Sequence, residues 1–388
     1  MSRLRILFYV PTQTDAIGIH HELTTRLAAC LSEEADVTLA TTDGKKVSTT
    51  PSDYDIIHIF GCWSNSACQL AGKAHTGLTP YILTPLGMLQ PWENERHRKT
   101  LLFKWQHTLT TRAAAVQVCG QLEQSTFQKL DWNPRVALIK NPVLTSLATF
   151  DETATQLLQL YRKVLDTNAR ILLTRETREL LGKLLQIGID NAALENDEHR
   201  QSVAAALSQL TDEQWRRTLI YASDERLSSI LKTSLQRLGI GKPTLDITSL
   251  NRFRPISNYA DGHLRGDILL SRNLLLRNKV KEVFAEHDAT EQSVCLQLLN
   301  LQYELAHRTA PLLHLTDLYR TMRFTNMDED AVADMAKQLD VLDFSERLMA
   351  LMHDFLGLTE GFMPFDSRYD KHTKRLYSAL TKFEIYPQ

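Results

Sequence analysis

The sequence has no long apolar run, few cysteines and almost no excess of charge of either sign. No apolar stretch approaches the roughly 20 residues that a membrane-spanning helix needs. The first apolar run, Ile6 to Val10, is too short for the core of a secretory signal peptide. We therefore expect a cytoplasmic protein, and peripheral contact with a membrane surface stays open.

The charge balance argues against a nucleic-acid-binding protein, and the cysteine pattern argues against a zinc-binding protein. The chain has 44 Lys and Arg against 46 Asp and Glu, a net charge of -2, whereas nucleic-acid-binding proteins usually carry a visible basic excess. Its five cysteines include no Cys-x-x-Cys pair, so we expect buried free thiols rather than a zinc site. We predict no nucleic-acid partner, no metal and no cofactor.

Short strand-forming runs alternate with helical patterns over residues 1–145. The predicted strands are Leu4–Val10, Asp36–Ala40, Asp55–Phe60, Thr79–Thr84, Ala115–Val118 and Arg135–Ile139. This alternation predicts a Rossmann-like α/β domain, in which helices cover both faces of a parallel sheet. Such sheets bind ligands at the carboxyl ends of their strands, so functional residues are expected in the loops after Val10, Phe60 and Thr84.

The remaining chain is predicted to be mostly α-helical. Residues 146–250 form a mainly helical middle region, with a strand-helix-strand unit suggested by Thr218–Tyr221, Glu225–Leu238 and Thr244–Ile247. The polar stretch Asn251–Gly266 has no clear period and is typical of a linker or long loop. Residues 267–388 are predicted to form an α-helical C-terminal domain.

Several motifs in the first third of the chain occur in the order found in one known family. The segment Tyr54–Leu89 (YDIIHIFGCWSNSACQLAGKAHTGLTPYILTPLGML) resembles the N-terminal domain of family 4 glycosyltransferases of the GT-B fold, which often reads DIIHxHGxW and then PYVxSPHGML. The matching positions are Asp55, His58, Gly61, Trp63, Pro80, Pro85, Gly87, Met88, Leu89 and Trp92. Weaker matches follow at Ala114, Val116, Gln121, Glu123 and Ile139–Val143.

The resemblance implies transfer of a sugar from a nucleotide-sugar donor to a saccharide or lipid-linked acceptor, without a metal. In that family the N-terminal domain holds the acceptor. The implied acceptor-site residues are Gly18, His20, His58, Gly61, Trp63 and Gly87.

For several of these residues a second interpretation stays open. His58 is either an acceptor-site base or a histidine bonded to its neighbours, and Trp63 either stacks on a sugar or packs in the core. His20 either touches a phosphate or acceptor hydroxyl or faces solvent. Asp15, a weak catalytic candidate in the loop after the first strand, either lies near an acceptor hydroxyl or caps the following helix.

The departures from the family pattern are substantial. The Gly-Gly loop of the family keeps only Gly18, and Leu86 replaces the cleft histidine, so no side chain there can hydrogen-bond a sugar hydroxyl. No two glutamates are separated by seven residues, so the family's Glu-x7-Glu motif is missing. The alternative is therefore a catalytically inactive relative that acts as a binding or scaffold protein. Its helical C-terminal half would then contact a protein partner.

The segment Trp92–Thr111 is predicted to be one basic helix. The cationic and titratable side chains from Trp92 to Arg112 are Arg96, His97, Arg98, Lys99, Lys104, His107 and Arg112. The simpler interpretation is a solvated helix face. The other is a surface that meets anionic lipid or a lipid-linked acceptor.

Overall fold

The computed structural model describes residues 3–11, 19–42, 50–241, 252–253, 259 and 261–383. The chain divides into two compact units, Met1–Asn168 with Ser249–Pro255 and Ala169–Thr248 with Ile256–Gln388. The first unit extends beyond the predicted boundary at residue 145, because it includes one further long helix.

The first unit contains a six-stranded, all-parallel sheet with the strand order β2-β1-β3-β4-β5-β6. The predicted Rossmann-like α/β fold is thereby confirmed. The strands are β1 (Leu4–Pro11), β2 (Ala35–Thr42), β3 (Ile56–Phe60), β4 (Tyr81–Thr84), β5 (Ala115–Val118) and β6 (Val136–Leu138). The helices are α1 (Ile19–Leu31), α2 (Asn65–Thr76), α3 (Pro91–His97), α4 (Leu101–Arg112), α5 (Gln121–Leu130) and α6 (Phe150–Thr167).

The alternation of side chains along the buried strands separates two apolar cores, because successive residues of a strand point to opposite faces. On one face, Ile6, Phe8 and Val10 of β1 pack in one cluster with apolar residues of α1 and α6. On the other face, Leu7 and Tyr9 pack with residues of α2, α4 and α5. Both faces of β1 are buried against apolar residues, which explains why its sequence is a continuous apolar run.

The described part of the second unit is helical and contains no strand. Its core is one large cluster of mainly leucine, isoleucine and methionine side chains. The helices are α7 (Arg175–Ile189), α8 (Asp197–Ser208), α9 (Asp212–Asp224), α10 (Ser228–Arg237), α11 (Leu274–Phe284), α12 (Ala289–His307), α13 (Leu312–Phe324), α14 (Glu329–Gln338), α15 (Leu342–Leu356) and α16 (Lys371–Thr381). Within the described ranges, no helix is both long and apolar enough to cross a bilayer.

The predicted strand at Thr218–Tyr221 is wrong, because these residues lie inside helix α9. Thr211 and Gln214 form a capping box that starts the helix seven residues earlier. Trp215, Leu219 and Ala222, spaced as on one helix face, are then buried together. Local capping and burial override the strand propensity of the short TLIY run. The second predicted strand, Thr244–Ile247, lies outside the described residues.

The predicted single helix at Trp92–Thr111 is two helices. Helix α3 ends at His97, and α4 begins at Leu101 after an N-cap at Thr100. The Thr100 hydroxyl accepts a hydrogen bond from Phe103 N at 3.3 Å and donates one to His97 O at 2.7 Å. The threonine thus bonds to the last residue of one helix and caps the start of the next, which divides the basic segment into two helices.

The end of helix α16 is tied into the second unit by a buried ion pair. Lys382 Nζ lies 3.3 Å from Glu225 Oε2 and donates to Ala310 O at 2.6 Å. Glu225, only 3% exposed at its side chain, also accepts hydrogen bonds from Leu312 N and Tyr259 Oη. Burial raises the pKa of Glu225 and lowers that of Lys382, and these hydrogen bonds offset the cost of burying both charges.

Helices α7 and α10 pack closely at Gly188. A Cβ atom placed there would lie 2.5 Å from Ser234 Oγ and 2.6 Å from both Cγ2 and the carbonyl oxygen of Ile230. We expect Gly188→Ala to lower the free energy of unfolding by about 1–3 kcal/mol through overpacking. Urea denaturation followed by circular dichroism measures this change.

The matched control is Gly72→Ala in helix α2, where an added Cβ meets no atom within 4 Å. This substitution should stabilise by about 1 kcal/mol, because alanine favours the helix over glycine. Equal effects of the two substitutions would contradict the close packing of α7 and α10.

Candidate functional site

The carboxyl ends of β3, β4 and β5 form a rim of three neighbouring loops, the position where ligands bind to open α/β sheets. Strand β1 runs parallel to β3, so its carboxyl end lies at the same edge of the sheet. Asp15 and Gly18, which follow β1 in the sequence, lie outside the described residues.

Two of the rim loops adopt left-handed backbone conformations. Gly61 and Trp63 have φ values of 88° and 61°, and Leu86 and Gly87 have φ values of 54° and 81°. The left-handed region costs a non-glycine residue roughly 1–2 kcal/mol. The strain at Trp63 and Leu86 therefore requires compensating interactions around the rim.

Hydrogen bonds from the surrounding elements hold the β3 loop. Trp63 N donates to Gln106 Oε1 of α4 at 2.9 Å, and Trp63 Nε1 donates to Met88 O of the β4 loop at 2.7 Å. Gly61 N donates to Thr84 O at 2.8 Å. Through these bonds the structure brings together three predicted residues, Gly61, Trp63 and Gly87, on adjacent loops.

Glu123 of α5 joins the β4 and β5 loops. Its carboxylate accepts hydrogen bonds from Gly87 N and Cys119 N, both at 2.6 Å. Bonds from backbone amides to a carboxylate are among the stronger hydrogen bonds in proteins. The glutamate that matches the family motif therefore holds the rim in shape in this chain.

His58 lies beneath the rim, fully buried on β3. Its Nδ1 is 2.7 Å from Tyr161 Oη of α6, and its Nε2 is 2.6 Å from Thr84 Oγ1. Thr84 Oγ1 donates to Gln117 Oε1 at 2.7 Å, and Gln117 Nε2 donates to Ile139 O at 3.3 Å. The result is a continuous chain of hydrogen bonds from α6 across β3, β4 and β5, which we call the polar line.

The polar line and the burial of His58 together fix its hydrogen-bonding roles. Because the single proton of Thr84 goes to Gln117, His58 Nε2 donates to Thr84. The lowered pKa of the imidazole keeps it neutral at pH 7, so Nδ1 carries no proton and accepts from the Tyr161 hydroxyl. Burial lowers the pKa of His58 from 6.5 to about 3, since no negative charge compensates for desolvation.

The predicted role of His58 in acceptor binding does not fit this position. Both ring nitrogens are bonded within the protein, and the ring stacks on Phe60 with centroids 4.1 Å apart. No part of the residue is exposed to a ligand. Sequence reasoning named His58 for its place in the motif and missed its partner Tyr161, which lies about a hundred residues later in the chain.

The other predicted site residues lie in different surroundings. The Trp63 ring stacks on His97 at 4.2 Å, with planes 14° apart, and packs against the core on that face of the sheet. Gly87 borders open space, since a Cβ added there meets no atom within 4 Å. His20 is half-buried at the start of α1, on the opposite sheet face from the Trp63 ring.

The cysteines of this unit do not have the character of nucleophiles. Burial raises the pKa of Cys68 to about 11 and raises those of Cys62 and Cys119, so these thiols stay protonated and unreactive at neutral pH. In the part of the chain that the structure describes, no group of three or more His, Cys, Asp or Glu residues could hold a metal ion.

Comparisons with known proteins give no relative. No protein-family model, curated protein or solved structure matches this chain. The resemblance to family 4 glycosyltransferases therefore depends only on the sequence motifs.

Helices α3 and α4 carry the exposed apolar side chains of the basic segment. Trp92 is 66% exposed, Leu101 67% and Trp105 48%. Arg96 and Arg98 beside them are also largely exposed. Aromatic and basic side chains together are typical of surfaces that meet anionic lipid, so peripheral membrane contact stays a prediction.

The buried neutral state of His58 predicts a specific pH dependence of stability. Because its folded-state pKa is about 3 and its ordinary value is 6.5, the unfolded chain binds the proton first as the pH falls. The free energy of unfolding therefore keeps its full value above pH 6.5 and falls as the pH decreases toward 3. Between pH 7 and pH 5 the loss that His58 causes is about 2 kcal/mol.

We expect His58→Gln to be less stable at pH 7 but to lose less stability between pH 7 and pH 5 than the wild type does. Urea unfolding at a series of pH values measures how the free energy of unfolding changes with pH in each protein. His75→Gln, at an exposed position on α2, is the control and should keep the wild-type slope. An unchanged slope in His58→Gln would contradict the buried neutral imidazole.

The bridge formed by Glu123 predicts a destabilised rim when its charge is removed. In Glu123→Gln the amide group faces one of the two backbone N–H groups, so one bond is lost and two donors oppose each other. We expect the free energy of unfolding to fall by about 1–2 kcal/mol. Glu95→Gln, at a side chain that is 70% exposed, should change stability far less; equal effects would contradict the bridge.

Proposed function

We propose that this chain is a saccharide-binding relative of the family 4 glycosyltransferases that binds at the rim and does not transfer sugar. The observation that carries the proposal is the helical second unit. Glycosyl transfer in the GT-B class uses a second α/β lobe to grip the nucleotide sugar, and the described residues of the second unit form helices and connecting loops but no strand. Without such a lobe, the charge that develops on the leaving diphosphate has no counterpart to stabilise it.

The chemistry of the rim supports binding over transfer. Among the described residues, two titratable groups at or beneath the rim are engaged in structural bonds: His58 belongs to the polar line, and Glu123 holds two backbone amides. Leu86 takes the place of the family's cleft histidine and brings no proton or hydrogen bond. The open space beside Gly87 and the fixed left-handed loops suit recognition of a ligand by shape.

The helical unit is the proposed protein-interaction module. Leu274 and Leu275 at the start of α11 are 72% and 81% exposed, and Phe324 at the end of α13 is 57% exposed. Large apolar side chains left in water are favourable contact points for a protein partner. We place the protein in the cytoplasm, in keeping with its five free thiols.

Sugar transfer itself is the second candidate. The family-like turns at Gly61 and Gly87 are retained on neighbouring loops of a six-stranded parallel sheet. If the chain is active, a nucleotide sugar is its donor and a saccharide or lipid-linked molecule its acceptor. Donor binding separates the two candidates.

The test of binding uses Gly87→Asn, because asparagine tolerates a positive φ better than other side chains and would fill the open space. We expect the wild type to bind at least one saccharide on a glycan panel, and Gly87→Asn to weaken that binding about tenfold or more. Gly262→Asn in the second unit is the matched control, since it also has a positive φ (86°) and open space.

The test of transfer is a panel of UDP-, GDP- and TDP-sugars at millimolar concentration. We expect neither hydrolysis of a donor nor a rise in melting temperature, because a chain without a donor site gains no stability from the ligand. A donor-dependent rise with turnover would replace our proposal by sugar transfer. Failure of the wild type to bind any saccharide would also overturn it.

A further inference from the structure

A cleft of about 350 Å³ opens between helices α2 and α4 on the flank of the sheet. Its walls include Asn65, Cys68 and Gly72 of α2 and Trp105 and Arg112 of α4, and Tyr81 of β4 also lines it. The volume lies within the range of about 300–1,000 Å³ that is usual for small-molecule sites. None of the predicted acceptor-site residues lines this cleft.

The inner surface of the cleft is apolar and aromatic. The Tyr81 hydroxyl donates a hydrogen bond to Leu109 O at 2.6 Å, so its proton is engaged within the protein. Burial raises the pKa of Cys68 to about 11, and the neutral thiol behaves as a small apolar group. The Trp105 indole is 48% exposed and provides a flat surface for a ring-containing ligand.

Gly72 keeps the cleft open on the side of α2. A Cβ atom built on this residue meets no other atom within 4 Å. Glycine inside a helix costs about 1 kcal/mol relative to alanine, and here it leaves unfilled a space that a larger side chain would occupy.

Arg112 gives the cleft a positive charge at the end of α4. Among the described residues, its guanidinium has no carboxylate within ion-pair distance. Its positive charge lowers the pKa of Tyr81, which partly offsets the larger rise that burial causes. An exposed guanidinium beside an apolar wall is suited to hold a carboxylate, sulfonate or phosphate by charge-assisted hydrogen bonds.

We infer that this cleft is a binding site for a small amphiphilic anion, whose planar apolar body lies against Trp105 and whose single anionic group pairs with Arg112. The polar side chains of Asn65 and Gln69 line it as well. A ligand that lacks either the apolar body or the charge would use only half of the site. This inference does not depend on saccharide binding at the rim.

The test uses two fluorescent probes with the same ring system, 8-anilinonaphthalene-1-sulfonate and its uncharged counterpart N-phenyl-1-naphthylamine. We expect Gly72→Phe to weaken binding of both probes about tenfold or more by filling the cleft. We expect Arg112→Gln to weaken binding of the sulfonate about fivefold and to leave the uncharged probe unchanged. Fluorescence titration gives each dissociation constant.

Two control variants test whether the changes in probe binding arise at the cleft itself. Gly72→Ala stiffens the same helix position without filling the space, and Lys104→Gln removes a positive charge from α4 at a position that does not line the cleft. Both should bind the probes as the wild type does. The inference is overturned if Gly72→Phe binds both probes as tightly as Gly72→Ala, or if Arg112→Gln and Lys104→Gln have the same effect.

Discussion

The hydrogen-bonded line from Tyr161 through His58, Thr84 and Gln117 crosses the interior of the first unit, and the rest of that unit is arranged around it. Each of these polar groups is buried, where an unpaired donor or acceptor would cost about 1–3 kcal/mol. Every group must therefore find a partner on the neighbouring strand or helix. The Tyr161–His58 bond adds a polar contact to the apolar packing of α6 against the sheet, and this helix belongs to the first unit.

The same line limits the chemistry that the sheet edge can perform. A histidine acting as a general base must titrate near neutral pH and reach the hydroxyl that it deprotonates. His58 meets neither condition, because burial moves its pKa to about 3 and its two nitrogens are bonded to tyrosine and threonine. The residues that look most catalytic in the motif thus maintain the fold of the rim.

The sequence predicts the parallel sheet well, because the strands are short apolar runs with turn residues after them. The prediction of secondary structure fails where interactions of the flanking residues outweigh the pattern of a short segment. The run TLIY looks like a strand, but the capping box at Thr211 and the helical spacing of Trp215 and Leu219 place it in a helix. The break before Leu101 depends on one threonine cap that the basic pattern conceals.

The polar line was partly visible in the sequence. His58, Thr84 and Gln117 each follow or interrupt an apolar strand, and polar residues inside buried strands must be bonded to something. The fourth member of the line, Tyr161, could not be found in this way. Tyr161 lies in a helix whose apolar pattern is satisfied without its hydroxyl, and only the packing of α6 on the sheet brings that hydroxyl to His58 Nδ1.

Backbone strain at the rim connects the fold to the proposed function. Trp63 and Leu86 remain in left-handed conformations because Gln106, Met88 and Glu123 hold the loops at fixed hydrogen-bonding distances. A loop held this firmly loses little conformational entropy when a ligand binds, so pre-organisation contributes to affinity. Transfer would in addition require groups that stabilise charge as it develops on the donor. The polar groups described at this rim hold backbone, which favours recognition of a ligand over its conversion.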